Sequence, residues 1–205
     1  MVDIVKTEAQ LLSTVFQDGQ ANNSITAQDM RDFIVSVPTL TSTTYPTAVA
    51  QLQSFTTQTA AAANTPYTID FDTQHYIENV THSIAVNPSE VTIAEDGVYV
   101  ITVAANFYKI GGGTTIISLY LQENIQGAGW VTISAAVRRD VTANNVAGYA
   151  SLGHMDRHIA GDKYRVAWIA DDTNAKLQTF AADTPAVGFP AIPSVDFRMR
   201  KIGLA

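Results

Sequence analysis

From residue 67 onward the chain never sustains a helical period, and this constrains the fold more than any other feature. Short runs of β-branched and aromatic residues alternate with glycine- and aspartate-bearing breaks. Gly97-Val98-Tyr99-Val100-Ile101-Thr102-Val103 follows an Asp96-Gly97 turn, and Ile116 to Leu121 follows Gly111-Gly112-Gly113. Trp130 to Val137 comes after Gly127 and Gly129. Tyr149 to Ile159 and Tyr164 to Ile169 flank Gly161-Asp162, and Val195 to Ile202 makes a last run. Tyr67 to Phe71, Ser83 to Val86 and Val91 to Ile93 are earlier candidates. Roughly eight to ten strands at this spacing with no helix between them predict a mainly β fold, an antiparallel sandwich or jelly roll.

Charge is scarce and unevenly placed. Of 205 residues only 15% are charged, against about 25% in an ordinary soluble domain. Seven charges lie in residues 1–32, and none stands between Asp32 and Asp70. Three segments follow: a helical anchor at 1–37, an uncharged Thr/Ala/Pro linker arm at 38–66 and a β domain at 67–205. The net charge of −7 argues against nucleic-acid binding, which needs Lys and Arg to neutralise phosphates. No apolar run reaches the ~18 residues of a membrane-spanning helix, and no secretory signal is visible. Cysteine is absent, which removes disulfides, thiol nucleophiles and Cys-ligated zinc.

The first segment predicts two short helices. Thr7 and Gln10 have capping-box spacing, and Leu11, Leu12, Val15 and Phe16 recur at helical intervals before Gly19. Thr26 and Asp29 cap a second helix, Ile25 and Met30 occupy the two staple positions, and Met30, Phe33, Ile34 and Val37 form its stripe up to Pro38. With only Lys6 and Arg31 as cations against five acidic residues, a DNA-reading helix-turn-helix is not expected. In the arm, Val49, Leu52 and Phe55 followed by Ala60 to Ala63 allow a helix after Pro46, although the threonines weaken it. An uncharged arm is expected to lie against another surface.

Two stretches resemble known families. Glu95-Asp96-Gly97-Val98-Tyr99-Val100-Ile101, then Ser118-Leu119-Tyr120-Leu121-Gln122-Glu123-Asn124, then His158-Ile159-Ala160-Gly161-Asp162-Lys163-Tyr164-Arg165-Val166 resemble the tumour necrosis factor and complement globular-head jelly roll. Phe197 stands where that family closes on an aromatic-bearing strand. The resemblance implies a homotrimer. Asp18-Gly19 and then Ser24-Ile25-Thr26-Ala27-Gln28-Asp29-Met30-Arg31-Asp32-Phe33-Ile34 are similar to a "G-x-I-T-A-Q-D-x-R-D-F" module at the start of tailed-bacteriophage virion proteins. That module implies a virion, and stands before varied fibre, appendage and decoration domains.

Few residues carry chemistry. His154 and His158 share a strand face with Asp156 between them, but the strand rise sets the two histidines ~13 Å apart, which predicts no common metal ion. Asp70 with Asp72, and Asp171 with Asp172 before Asn174, offer hard oxygen ligands for Ca²⁺, with plain solvated turns as the competing reading. No Gly-x-Ser-x-Gly elbow is present, and Gly111-Gly112-Gly113 lacks the lysine and helix of a phosphate loop. The sequence therefore implies no catalytic residue, metal or cofactor. Tyr99, Phe107, Tyr108, Tyr120, Trp130, Tyr149, Tyr164, Trp168 and Phe197 all fall on expected strands, half for the core and the other parity for a subunit interface.

The combined expectation is a non-enzymatic structural protein of a phage virion: a capsid decoration (cement) protein or short head fibre on the outer capsid surface. Phe16, Ile25, Met30, Arg31, Phe33 and Ile34 are the expected docking residues for the major capsid protein or another virion protein. Tyr99, Phe107, Tyr120, Tyr149, Trp168 and Phe197 are the expected core or trimer aromatics. A tail fibre or receptor-binding protein is the alternative within the virion. A glycan-binding module on host surfaces, or a polysaccharide depolymerase, is the alternative of another class.

Overall fold

A computed structural model describes residues 48–142, 148–181 and 190–203. The chain divides into two compact units, 1–45 and 46–205, and the described residues all lie in the second. Thirteen strands are formed among them: β1 (Val49–Ser54), β2 (Gln58–Thr59), β3 (Tyr67–Thr68), β4 (Thr73–Glu78), β5 (Val80–Thr81), β6 (Val91–Ile93), β7 (Gly97–Lys109), β8 (Thr114–Asn124), β9 (Val131–Thr142), β10 (Gly148–His158), β11 (Lys163–Ala170), β12 (Ala175–Leu177) and β13 (Val195–Gly203). The described residues contain no helix, and hence none long and apolar enough to cross a membrane.

The strands build two sheets in which every pairing is antiparallel. The first runs β4-β1-β13-β7-β10, and β12 and β2 extend it beside the far end of β7. The second runs β5-β6-β11-β8-β9, with β3 on the end of β11. Counting β1, β6, β7, β8, β9, β10, β11 and β13 as strands 1 to 8, the sheets read 1-8-3-6 and 2-7-4-5. The chain thus crosses between the sheets at every step except from 4 to 5, which form a paired hairpin, a jelly-roll-like connectivity.

Side-chain alternation explains why each strand sits where it does. On β7, Tyr99, Ile101, Val103, Ala105 and Phe107 point inward and are buried, while the residues between them face out. Ile117, Leu119 and Leu121 of β8 and Tyr164, Val166 and Trp168 of β11 meet them from the second sheet. Phe197 on β13 packs against Phe71 at 5.5 Å between ring centroids. The core is therefore the interdigitated inner faces of both sheets, as sandwich packing requires.

The uncharged arm expected at 38–66 is overturned for its second half. Val49–Ser54 is an inner strand, laddered to β13 on one side and β4 on the other, with Ala48, Ala50, Leu52 and Ser54 fully buried. The spacing of Val49, Leu52 and Phe55 suggested a helix, but the true period is two, with small alanines holding the inward positions. Charge is missing because this segment lies against the chain's own sandwich. The β unit accordingly begins near Pro46 and not at residue 67. Ser83 to Val86 is also no strand; Ser83 Oγ accepts the backbone N–H of Ala85 and Val86 in a turn. The two expected N-terminal helices lie outside the described residues.

Candidate functional site

The outer face of the first sheet is unusually plain at its centre. On β7 the outward residues are Val98, Val100, Thr102, Ala104, Asn106 and Tyr108, with no charge among them. On the neighbouring β10, Ala104 stands beside Ser151 and Thr102 beside Gly153. Tyr149 and Met155 flank this small-residue strip, each 63% exposed. Beyond it, β13 presents Asp196, Arg198 and Arg200, and Arg198 donates to Asp196 at 2.9 Å. A shallow groove of about 300 Å³ runs between Val49, Gln51, Val100, Thr102 and Arg200. β10 is hydrogen-bonded only to β7 among the described strands, and β9 of the second sheet lies close beside it. A strip of small residues between two exposed apolar side chains admits close approach by another flat surface.

The two ends of the sandwich carry polar clusters. At one, the inward Lys109 pairs with Asp172, whose other oxygen accepts from the Asn174 amide and backbone N–H. Asp171 accepts from the Thr115 hydroxyl at 2.6 Å and the Ile116 N–H at 2.8 Å. Hydrogen bonds from Thr115 and Ile116 hold the Asp171 carboxyl below its ordinary range, and those from Asn174 and Lys109 do the same for Asp172. These carboxylates pin the β11–β12 turn to β7 and β8 and are more than solvated turn residues. Asp70 and Asp72 do not act together: Asp72 alone receives Phe55 N–H, Thr56 and Thr73, tying β1 to β4.

At the other end, Lys201 pairs with Glu95 at 2.9 Å, and Tyr99 donates to the Glu95 carbonyl at 2.7 Å. Gly97 lies directly under Lys201, where any Cβ would stand 2.5 Å from Lys201 Cε. Beside it runs a chain of buried polar groups. His158 Nδ1 lies 3.2 Å from Asp162, and the Tyr164 hydroxyl reaches His158 Nε2. Because Asp162 also receives the Ile159 N–H at 3.1 Å and Gln126 at 3.0 Å, the consistent proton placement is Nδ1–H on His158, with Tyr164 donating to Nε2. Burial alone would raise the Asp162 carboxyl, but donors from Gln126, Ile159 and His158 outweigh it and leave it lowered. Burial, with the carboxylates of Glu123, Asp156 and Asp162 nearby, pushes the Tyr164 hydroxyl far above its usual range. This order of groups has the form of a catalytic relay, but its hydroxyl is fully buried and offers a substrate no approach. It holds the tight β10–β11 turn that crosses from one sheet to the other, which uses Gly161 at φ +97.

The sequence-selected aromatics separate by parity. Tyr99, Phe107, Trp168 and Phe197 are core residues, Tyr120 faces outward on the second sheet, and Tyr149 faces outward on β10. The docking residues Phe16, Ile25, Met30, Arg31, Phe33 and Ile34 lie outside the described residues. The structure overturns the expected separation of His154 from His158: one donor atom from each and a carboxylate oxygen of Asp156 all lie within 4.8 Å of one another. A strand rise of ~13 Å between the histidine Cα atoms means that both rings lean along β10 toward position 156. Sequence reasoning also missed Met155, whose outward parity only the β10 register reveals.

No family model matches the chain, and no curated protein does. Among solved structures, the crystal structure of murine APRIL is similar over 75% of this chain and 98% of that one, at 11% identity and a TM-score of 0.47. Strand order and register, not this likeness, define the fold.

Proposed function

We propose that this chain is a structural protein of a tailed-bacteriophage virion, a capsid decoration protein or short head fibre, whose β unit self-associates as a homotrimer. Residues 1–45 attach it to the capsid, through the phage-like signature from Ser24 to Ile34. The observation that carries the self-association is the outer face of β7 and β10. There Tyr149 and Met155 stand exposed beside a strip of uncharged small residues. Packed around a common axis, three such faces bury the apolar surface that each protomer leaves in water. The role is mechanical: the trimer and its anchors bridge neighbouring capsid subunits and add buried surface between them.

Two variants test this. A chain lacking residues 1–45 retains the complete β unit, so it is expected to stay folded and trimeric while failing to bind capsids. If it decorates capsids as well as the full chain, the anchor assignment is wrong. Tyr149→Asp combined with Met155→Asp is expected to convert the trimer to a folded monomer in analytical ultracentrifugation, and a trimer that survives both changes rejects this face as the interface.

A further inference from the structure

Three positions on one face of β10, His154, Asp156 and His158, converge at the end of the sandwich that holds Tyr164, with donor atoms within 4.8 Å of one another. We propose that they form a binding site for a divalent transition metal of the zinc class. Two imidazole nitrogens and one carboxylate oxygen suit Zn²⁺, Co²⁺ or Ni²⁺, whereas Mg²⁺ and Ca²⁺ prefer oxygen throughout.

Three further features of this corner support the assignment. His154 Nε2 is buried without a hydrogen-bond partner, 3.9 Å from an Asp156 oxygen, although its side chain is only 14% exposed. A buried ring nitrogen left unpaired is costly unless something binds it. His158 already carries the support that metal-bound histidines use: Asp162 accepts from its Nδ1–H, which fixes the tautomer and leaves the Nε2 lone pair as the one to bind an ion. The Tyr164 hydroxyl now occupies that lone pair. Glu123 is the cross-strand partner of Tyr164 and has a buried oxygen with no partner, so a displaced hydroxyl has an acceptor at hand.

Access comes from Asp156, which is 57% exposed and accepts only the Arg157 N–H at 2.7 Å beside its contact with His154. The ion enters on that side, takes the three protein ligands and keeps water at its remaining position. Neither the ligands nor the test depend on the virion reading.

The test is calorimetric titration of the full chain with ZnCl₂ after chelator treatment, repeated with MgCl₂, together with the visible spectrum of the Co²⁺ form. One Zn²⁺ per chain, no Mg²⁺ binding and Co²⁺ d–d bands of low-coordinate intensity are expected. Asp156→Asn and His154→Gln are each expected to weaken Zn²⁺ by at least ~100-fold, beyond the cost of removing an outer partner. His75→Gln, on the exposed face of β4, is expected to leave affinity unchanged. Absence of saturable Zn²⁺ binding overturns the proposal, as does binding that survives Asp156→Asn or disappears with His75→Gln. Should His154→Gln fail to fold, Asp156→Asn decides, because its exposed side chain is not part of the core.

Discussion

Leu52→Ala tests the placement of β1 within the sandwich. Leu52 is 0% exposed, pairs with Phe197 of β13 on one side and with Gln74 of β4 on the other, and faces the inner side of the sheet. Removing a fully buried leucine side chain costs its transfer free energy plus a cavity term, together about 2–5 kcal/mol. For a unit of about 160 residues each kcal/mol moves the melting midpoint by ~2–4 °C, so a fall on the order of 10 °C is expected. The assay is thermal or urea unfolding followed by far-UV circular dichroism, with Ile84→Ala as a control. Ile84 is exposed, and its loss is expected to stay within about 0.5 kcal/mol. An unchanged midpoint for Leu52→Ala would refute the reasoning, because only an undocked arm tolerates that truncation.

Other outcomes follow from the same geometry. Deleting residues 1–66 removes β1 and is expected to abolish cooperative unfolding, whereas deleting 1–45 preserves it; circular dichroism melts distinguish the two. Gly97→Ala drives a Cβ to 2.9 Å from the Gly203 carbonyl as well as against Lys201, and a loss of about 1–3 kcal/mol in urea unfolding is expected. The folded-state Asp162 carboxyl lies below its unfolded value, so its contribution is present above ~pH 4 and is lost as pH falls through the folded value. Asp162→Asn is therefore expected to be less stable than the parent at pH 7, with the difference shrinking in urea titrations carried toward pH 3.

Strands with large residues at alternate inward positions were legible in the sequence. β7 shows this best: Tyr99, Ile101, Val103 and Phe107 advertise both its period and its burial. β1 was not legible, because Ala48, Ala50 and Ser54 leave Leu52 as the sole large inward side chain, and its neighbours mimic a weak helix. Which aromatics face out depends on which sheet each strand joins, a long-range fact that no local window contains. Lys109 and Lys201 likewise read as ordinary surface lysines until the register turns them inward onto Asp172 and Glu95. The candidate metal ligands carried a partial signal, since the i, i+2, i+4 spacing placed them on one face. Their convergence depends on side chains leaning along the strand, which strand rise alone does not predict.

Quantitative gel densitometry of purified virions, with the protein located by labelled antibody in electron micrographs, tests the central claim most directly. Hundreds of copies per particle distributed over the capsid surface are predicted. A few dozen copies or fewer, confined to the tail, would contradict a decoration role and identify a tail fibre or receptor-binding protein, and absence from the particle would contradict the virion assignment altogether.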